Sequence, residues 1–137
     1  TTVLARAPSV RGVGGPLEHT LANLQLLDWL TGQGGQGFLA GEKTVATAIR
    51  GPASLTSPAT MSGYLSAFCN SGTAEGVTLE NLKFPLEHST LTSSFPLGVS
   101  NQFLGQSARV SVEKGSLLLI WEDKGDFYSL LPQLWLR

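Results

Sequence analysis

Few side chains in this sequence have the types and spacing that chemistry demands. Two histidines, His19 and His88, and one cysteine, Cys69, are present among 137 residues. No G-x-S-x-G surrounds a serine, and neither histidine has a local partner that would mark a catalytic triad. Two isolated histidines and one cysteine do not make a zinc set. The acidic residues stand singly, as at Glu18, Glu42, Glu75, Glu80 and Glu87, and no D-x-D pair is available to hold magnesium. Asp123 and Asp126 bracket Lys124-Gly125 and read as a solvated turn. Two other features deserve a chemical reading. Gly14-Gly15 leads into Pro16-Leu17-Glu18-His19-Thr20, and a glycine pair opening a helix leaves free N–H groups that suit an anion. A plain helix start, with Glu18 complementing the helix dipole, explains the same residues. Farther on, Gly98-Val99-Ser100-Asn101 reads as a polar loop between apolar runs.

The elements that must position these residues follow from the patterning. Thr2–Ala5 suits a short strand, and Ala7-Pro8-Ser9 a turn flanked by Arg6 and Arg11. Leu17, Leu21, Leu24, Leu26 or Leu27, and Leu30 recur at helical spacing. Pro16 suits the first helical position, and Thr31-Gly32 the stop. Gly32–Gly37 formally matches G-x-G-x-x-G, but it follows a helix and precedes a strand, the reverse of a dinucleotide fingerprint. Phe38–Ala40 and Thr44–Ile49 read as strands around a turn at Gly41-Glu42-Lys43. Arg50–Pro58 is rich in breakers and reads as a domain boundary.

Beyond it the signals are all strand. They cover Tyr64–Cys69, a bulged stretch around Glu80-Asn81, Thr90–Phe95, Arg109–Val112 and Ser116–Trp121. Phe127–Leu136 is apolar and open to strand or helical turn. Strands at this spacing predict a mainly β fold. It comprises a C-terminal β-sandwich over residues 51–137, preceded over residues 1–50 by a remnant of an α/β, parallel-sheet domain.

Composition narrows the partners. The chain is 42% apolar and 14% charged, with 16 Gly, 7 Pro and a net charge of −1. No basic cluster supports nucleic-acid binding. No apolar run approaches the ~18 residues that span a bilayer. The first residues lack a signal-peptide hydrophobic region, and a cytoplasmic setting fits the single cysteine.

Two motifs, in order and at matching separation, carry a resemblance to a known family. GGPLEHTLANLQLL at Gly14–Leu27 resembles the GGRLDHTLANLQLL segment of bacterial thiamin pyrophosphokinases. GVTLENLKFPLEHSTL, followed by FPLGVSNQFLGQSARVSVEKGSLLLIW, resembles their C-terminal β-domain. The resemblance runs from Gly14 to Trp121. It implies transfer of a pyrophosphoryl group from ATP to the thiamin hydroxyl, giving thiamin diphosphate and AMP, with Mg²⁺ as cofactor. It also implies a homodimer, with thiamin between the α/β domain of one subunit and the β-domain of the other. By the same resemblance, Gly14, Gly15, His19 and Thr20 line the nucleotide. Glu18 is the catalytic and metal-binding carboxylate, in place of the family's Asp, and Pro16 replaces an Arg. Phe84, Ser100 and Asn101 face thiamin. The family's acidic Mg²⁺-ATP motifs lie upstream of the helix, so the chain is expected to be a C-terminal part, inactive alone. A non-catalytic thiamin-binding or dimerisation module is the alternative. A pyrophosphokinase for another hydroxymethyl heterocycle, such as a pterin, is a third reading.

Overall fold

The computed structural model of the protein describes residues 2–6, 15–41 and 43–136. Gly14, the Ala7-Pro8-Ser9 turn, Arg11 and Glu42 lie outside the described residues. Two sheets face each other. The six-stranded sheet has the order β1 (Thr2–Arg6), β2 (Gln36–Ala40), β3 (Thr44–Arg50), β10 (Ser116–Glu122), β5 (Tyr64–Phe68) and β8 (Gly98–Gln102). The second has the order β11 (Trp135–Leu136), β4 (Ala53–Ser57), β9 (Ala108–Val112), β6 (Thr73–Glu80) and β7 (Leu86–Thr92). The pair β1 and β2 is parallel, and α1 (Gly15–Gly32) connects them. The other pairings are antiparallel, so the expected β-sandwich with a parallel-sheet portion is present.

The core explains the Leu117–Trp121 run. Leu117, Leu119 and Trp121 point between the sheets, where they join Phe38, Val45, Ile49, Leu55, Val77 and Val110. Leu118 and Ile120 point the other way, against a second cluster of Leu27, Leu39, Ala46 and Ala48 under α1. A strand covered on both faces needs no polar alternation. Phe38 meets Trp121 edge-on, with ring centroids 6.4 Å apart, and adds geometric specificity to the apolar burial. Cys69 is buried, its Sγ directed at the Ser71 and Gly72 carbonyls, and burial pushes its pKa up. Its thiol is a small core group, as expected.

The structure departs from the sequence reading in three places. The breaker-rich stretch contains β4, with Leu55 only 3% exposed. Gly51-Pro52 and Pro58 flank the strand rather than interrupt it, and these breakers made the stretch read as a boundary. The position between residues 50 and 51 joins the two sheets: β1–β3 precede it, while their sheet continues into β10, β5 and β8. Next, Gly98–Asn101 is not a loop but edge strand β8, paired with β5 across a register shift. Finally, the β6–β7 irregularity lies upstream of Glu80-Asn81, between Ala74 and Leu79, where Gly76 adopts a φ of 66°. The tail forms a helical turn, α2 (Phe127–Leu130), then a short 3-10 helix and β11.

Candidate functional site around strand β8

The helix motif comes first in the chain. Glu18 and His19 are exposed in the first turns of α1, and Thr20 is half-buried. The C-terminal end of α1 is fixed: the Arg50 guanidinium is 3.5 Å from the Asp28 carboxylate, and the Thr31 hydroxyl donates to the Asp28 carbonyl at 2.7 Å. Arg50 ends β3, so the N-terminus of α1 is directed toward the opposite end, where β2 finishes and β3 begins. His88 lies on β7 of the other sheet, with Nδ1 3.5 Å from a Glu113 carboxylate oxygen. The two histidines therefore share no site. Among the described residues, no group of three or more His, Cys, Asp or Glu is placed to hold a metal ion. Among the described residues Glu18 stands in no such group, and a single carboxylate would hold magnesium only together with bound phosphates.

The β8 motif is more closely built. Asn101 faces the core side and is 3% exposed. Its Oδ1 accepts the N–H of Phe84 at 2.8 Å and that of Gln102 at 3.0 Å, while its Nδ2 donates to the Phe84 carbonyl at 2.7 Å. The Lys83 N–H also donates to the Gln102 carbonyl, at 3.0 Å. Phe84 itself is 58% exposed, with the Lys83 ammonium 5.5 Å from its ring centroid. Ser100 is exposed at a φ of 60°, a left-handed conformation costly for a side chain with a Cβ. Its N–H donates to Ser66 Oγ at 2.9 Å, which anchors the turn of the backbone. Gly98 is required by close approach: a Cβ there would lie 2.6 Å from the Ala67 carbonyl oxygen.

The structure thus joins Asn101 to Phe84, holds Ser100 beside Asn101 on β8 against Ser66, and does not gather these residues with Glu18, His19 and Thr20. The helix packs over β2 and β3, and β8 is three strands beyond β3. At ~4.8 Å per strand that is about 14 Å across the sheet. Both groups nevertheless address one end of the sheet. Glu122 pairs with Thr44 there, and Tyr64 pairs with Gln102.

Sequence reasoning missed Ser66, Tyr64 and Glu122, which fill the space between. The Tyr64 N–H donates to Glu122 Oε1 at 2.9 Å, and Lys124 Nζ is 3.0 Å from Oε2. No local signal marks these contacts, because Tyr64 and Glu122 are far apart in the chain. The Lys124 hydrogen bond first, then the Tyr64 N–H, hold the Glu122 carboxyl below its usual 4.5, against some desolvation. A lowered folded pKa stabilises the fold above the unfolded value, and that contribution is lost as pH falls through the folded one. A carboxylate NMR titration is expected to place Glu122 below 4.5; a midpoint at or above it would remove the pair from the site.

The family model described as thiamin pyrophosphokinase, vitamin B1 binding domain, matches residues 54–117. The solved thiamine pyrophosphokinase of Bacillus subtilis superposes with a TM-score of 0.72 at 23% identity, covering 82% of this chain and 53% of that one. Thiamin pyrophosphokinase from Candida albicans gives 0.70 at 13% identity, over 88% and 44%. The yeast enzyme gives 0.65 at 19%, over 87% and 39%. At these identities the likeness is one of fold. The chain spans about half the length of these solved relatives, or less. No curated protein sequence matches it. Phe84, Ser100 and Asn101 all fall inside the matched segment, so residues 54–117, from β4 into β10, are the part of the chain that resembles the vitamin B1 binding domain of thiamin pyrophosphokinases.

Proposed function

We propose that the protein is the thiamin-binding part of a thiamin pyrophosphokinase, which transfers pyrophosphate from ATP to the thiamin hydroxyl and releases AMP. The observation that carries this reading is the vitamin B1 binding match over a segment in which Asn101 of β8 is bonded to the backbone of Phe84. An exposed aromatic ring suits stacking on the pyrimidine or facing the cationic thiazolium. The exposed Ser100 hydroxyl suits the aminopyrimidine edge, which needs both a donor and an acceptor.

Gly14, Gly15, His19 and Thr20 are assigned to the nucleotide, and Glu18 to the magnesium-bound phosphates. The helix and β8 lie three strands apart within one chain, which supports a homodimer in which each subunit completes the other's site. Exposed Phe95, Leu97 and Val99 around β8 provide apolar surface for that contact. The chemistry is then one of placement, holding the thiamin hydroxyl in line with the phosphoryl group. A cytoplasmic setting is assigned with the family. Among the described residues no helix is long and apolar enough to cross a membrane.

Calorimetry with thiamin on the 137-residue chain is the test of the binding half. Saturable one-site binding is expected, and absence of heat at millimolar thiamin would overturn it. AMP release from Mg²⁺-ATP and thiamin by this chain alone is expected to stay at background. Among the described residues Glu18 stands in no group of metal ligands, which favours, as a second reading, a thiamin-binding module without turnover. Measured AMP release would exclude that module.

A further inference from the structure

We propose that Asn101 is a positioning residue that acts through Phe84, and does not itself contact the ligand. The inference rests on the reading of Phe84 as the aromatic that meets thiamin. Its basis is how the Asn101 carboxamide is spent. Oδ1 already accepts two N–H groups, from Phe84 and Gln102, and Nδ2 donates to the Phe84 carbonyl. A carboxamide oxygen has two lone pairs, so its accepting capacity is full, and the second Nδ2 N–H belongs to a side chain closed off from solvent. The side chain is also 3% exposed, whereas the Phe84 ring is 58% exposed. Contact with a ligand falls to the residue that reaches solvent.

The contact has the form of a ladder rung. Asn101 meets both the N–H and the C=O of Phe84, as a neighbouring strand would, although residue 84 lies outside the strands. The Lys83 N–H on the Gln102 carbonyl and the bridge between Leu82 and Phe103 extend this seam. Leu82 is buried at 2% and anchors the segment from below. Phe84 has no such anchor in its own side chain. Its backbone position depends on Asn101, and with it the direction in which the ring is presented.

A double-mutant cycle separates positioning from contact. Thiamin affinity is measured by calorimetry for the unmodified chain, Asn101→Ala, Phe84→Ala and the double variant. Positioning predicts that N101A weakens binding about tenfold when Phe84 is present and less than twofold when it is absent. Equal weakening in both backgrounds would overturn the proposal, because it would mean that Asn101 touches the ligand independently.

Amide hydrogen exchange on the unmodified protein gives a second reading that needs no variant to fold. The Phe84 amide is expected to exchange at least a hundredfold slower than an unstructured amide, without ligand. Rapid exchange there would overturn the clamp. If the unmodified chain binds no thiamin, the assignment of the site to thiamin fails and the proposed ligand role fails with it. Slow Phe84 exchange would then still support the clamp itself, so the two failures are distinguishable.

Discussion

Replacing Leu119 by alanine is expected to destabilise the fold by about 3–4 kcal/mol, the range for a fully buried leucine whose site cannot collapse. Leu119 is 0% exposed at the centre of the six-stranded sheet. Its cross-strand neighbours are Thr47 on β3 and Ala67 on β5, both small. Their size leaves the room that Leu119 fills, and neither can swell into a vacated volume. The cavity would therefore remain, and lost contacts would add to lost burial. Urea denaturation monitored by tryptophan fluorescence reads the change. Leu104→Ala serves as a control, since that side chain is 50% exposed and its loss is expected within about 0.5 kcal/mol. A loss under about 1 kcal/mol for L119A would show that the two layers pack less tightly than described.

Gly98→Ala is expected to cost about 2 kcal/mol or more, and to remove thiamin binding with it. The added carbon would lie 2.6 Å from the Ala67 carbonyl oxygen and 3.4 Å from the Ala67 Cβ. The obstructing oxygen is main chain in β5, held between β10 and β8, and cannot rotate aside. Strand β8 is at the sheet edge, so the strain is relieved by moving β8 outward. That movement would separate Ser100 from Ser66 and carry the Asn101 clamp away from Phe84. The same urea experiment, run beside thiamin calorimetry, checks both effects. Retention of full stability and full affinity would show that β8 can carry a Cβ at this position.

These expectations also show what was legible beforehand. The helix α1 was readable because leucines at helical spacing are a local signal, and it starts at Gly15, one residue before the Pro16 expected at its first position. The same pattern gave no warning that Leu21, Leu26 and Trp29 would remain exposed while Leu27 is buried. That helix is apolar around its circumference, so periodicity could not choose a face. Strand β10 was readable because a run apolar on both faces has few other homes. Strand β8 was not, since a glycine, a serine with positive φ and a buried asparagine resemble a turn. The Asn101–Phe84 contact was invisible for a different reason. It joins a side chain to a backbone seventeen residues away, and only the fold brings the two together.

The route of the six-stranded sheet has a consequence for how the protein is made. Strand β3 finds its partner in β10, with Thr44 opposite Glu122 and Arg50 opposite Ser116. A chain emerging from the ribosome presents β2 and β3 long before β10 exists. At ~5–20 residues per second the wait is roughly 4–14 s. During it, Phe38, Val45 and Ile49 lack both Leu117, Leu119 and Trp121 beside them and Val77 and Val110 opposite. The early hairpin keeps this apolar face open to other chains until β10 arrives, the interval in which a nascent chain is most prone to aggregate.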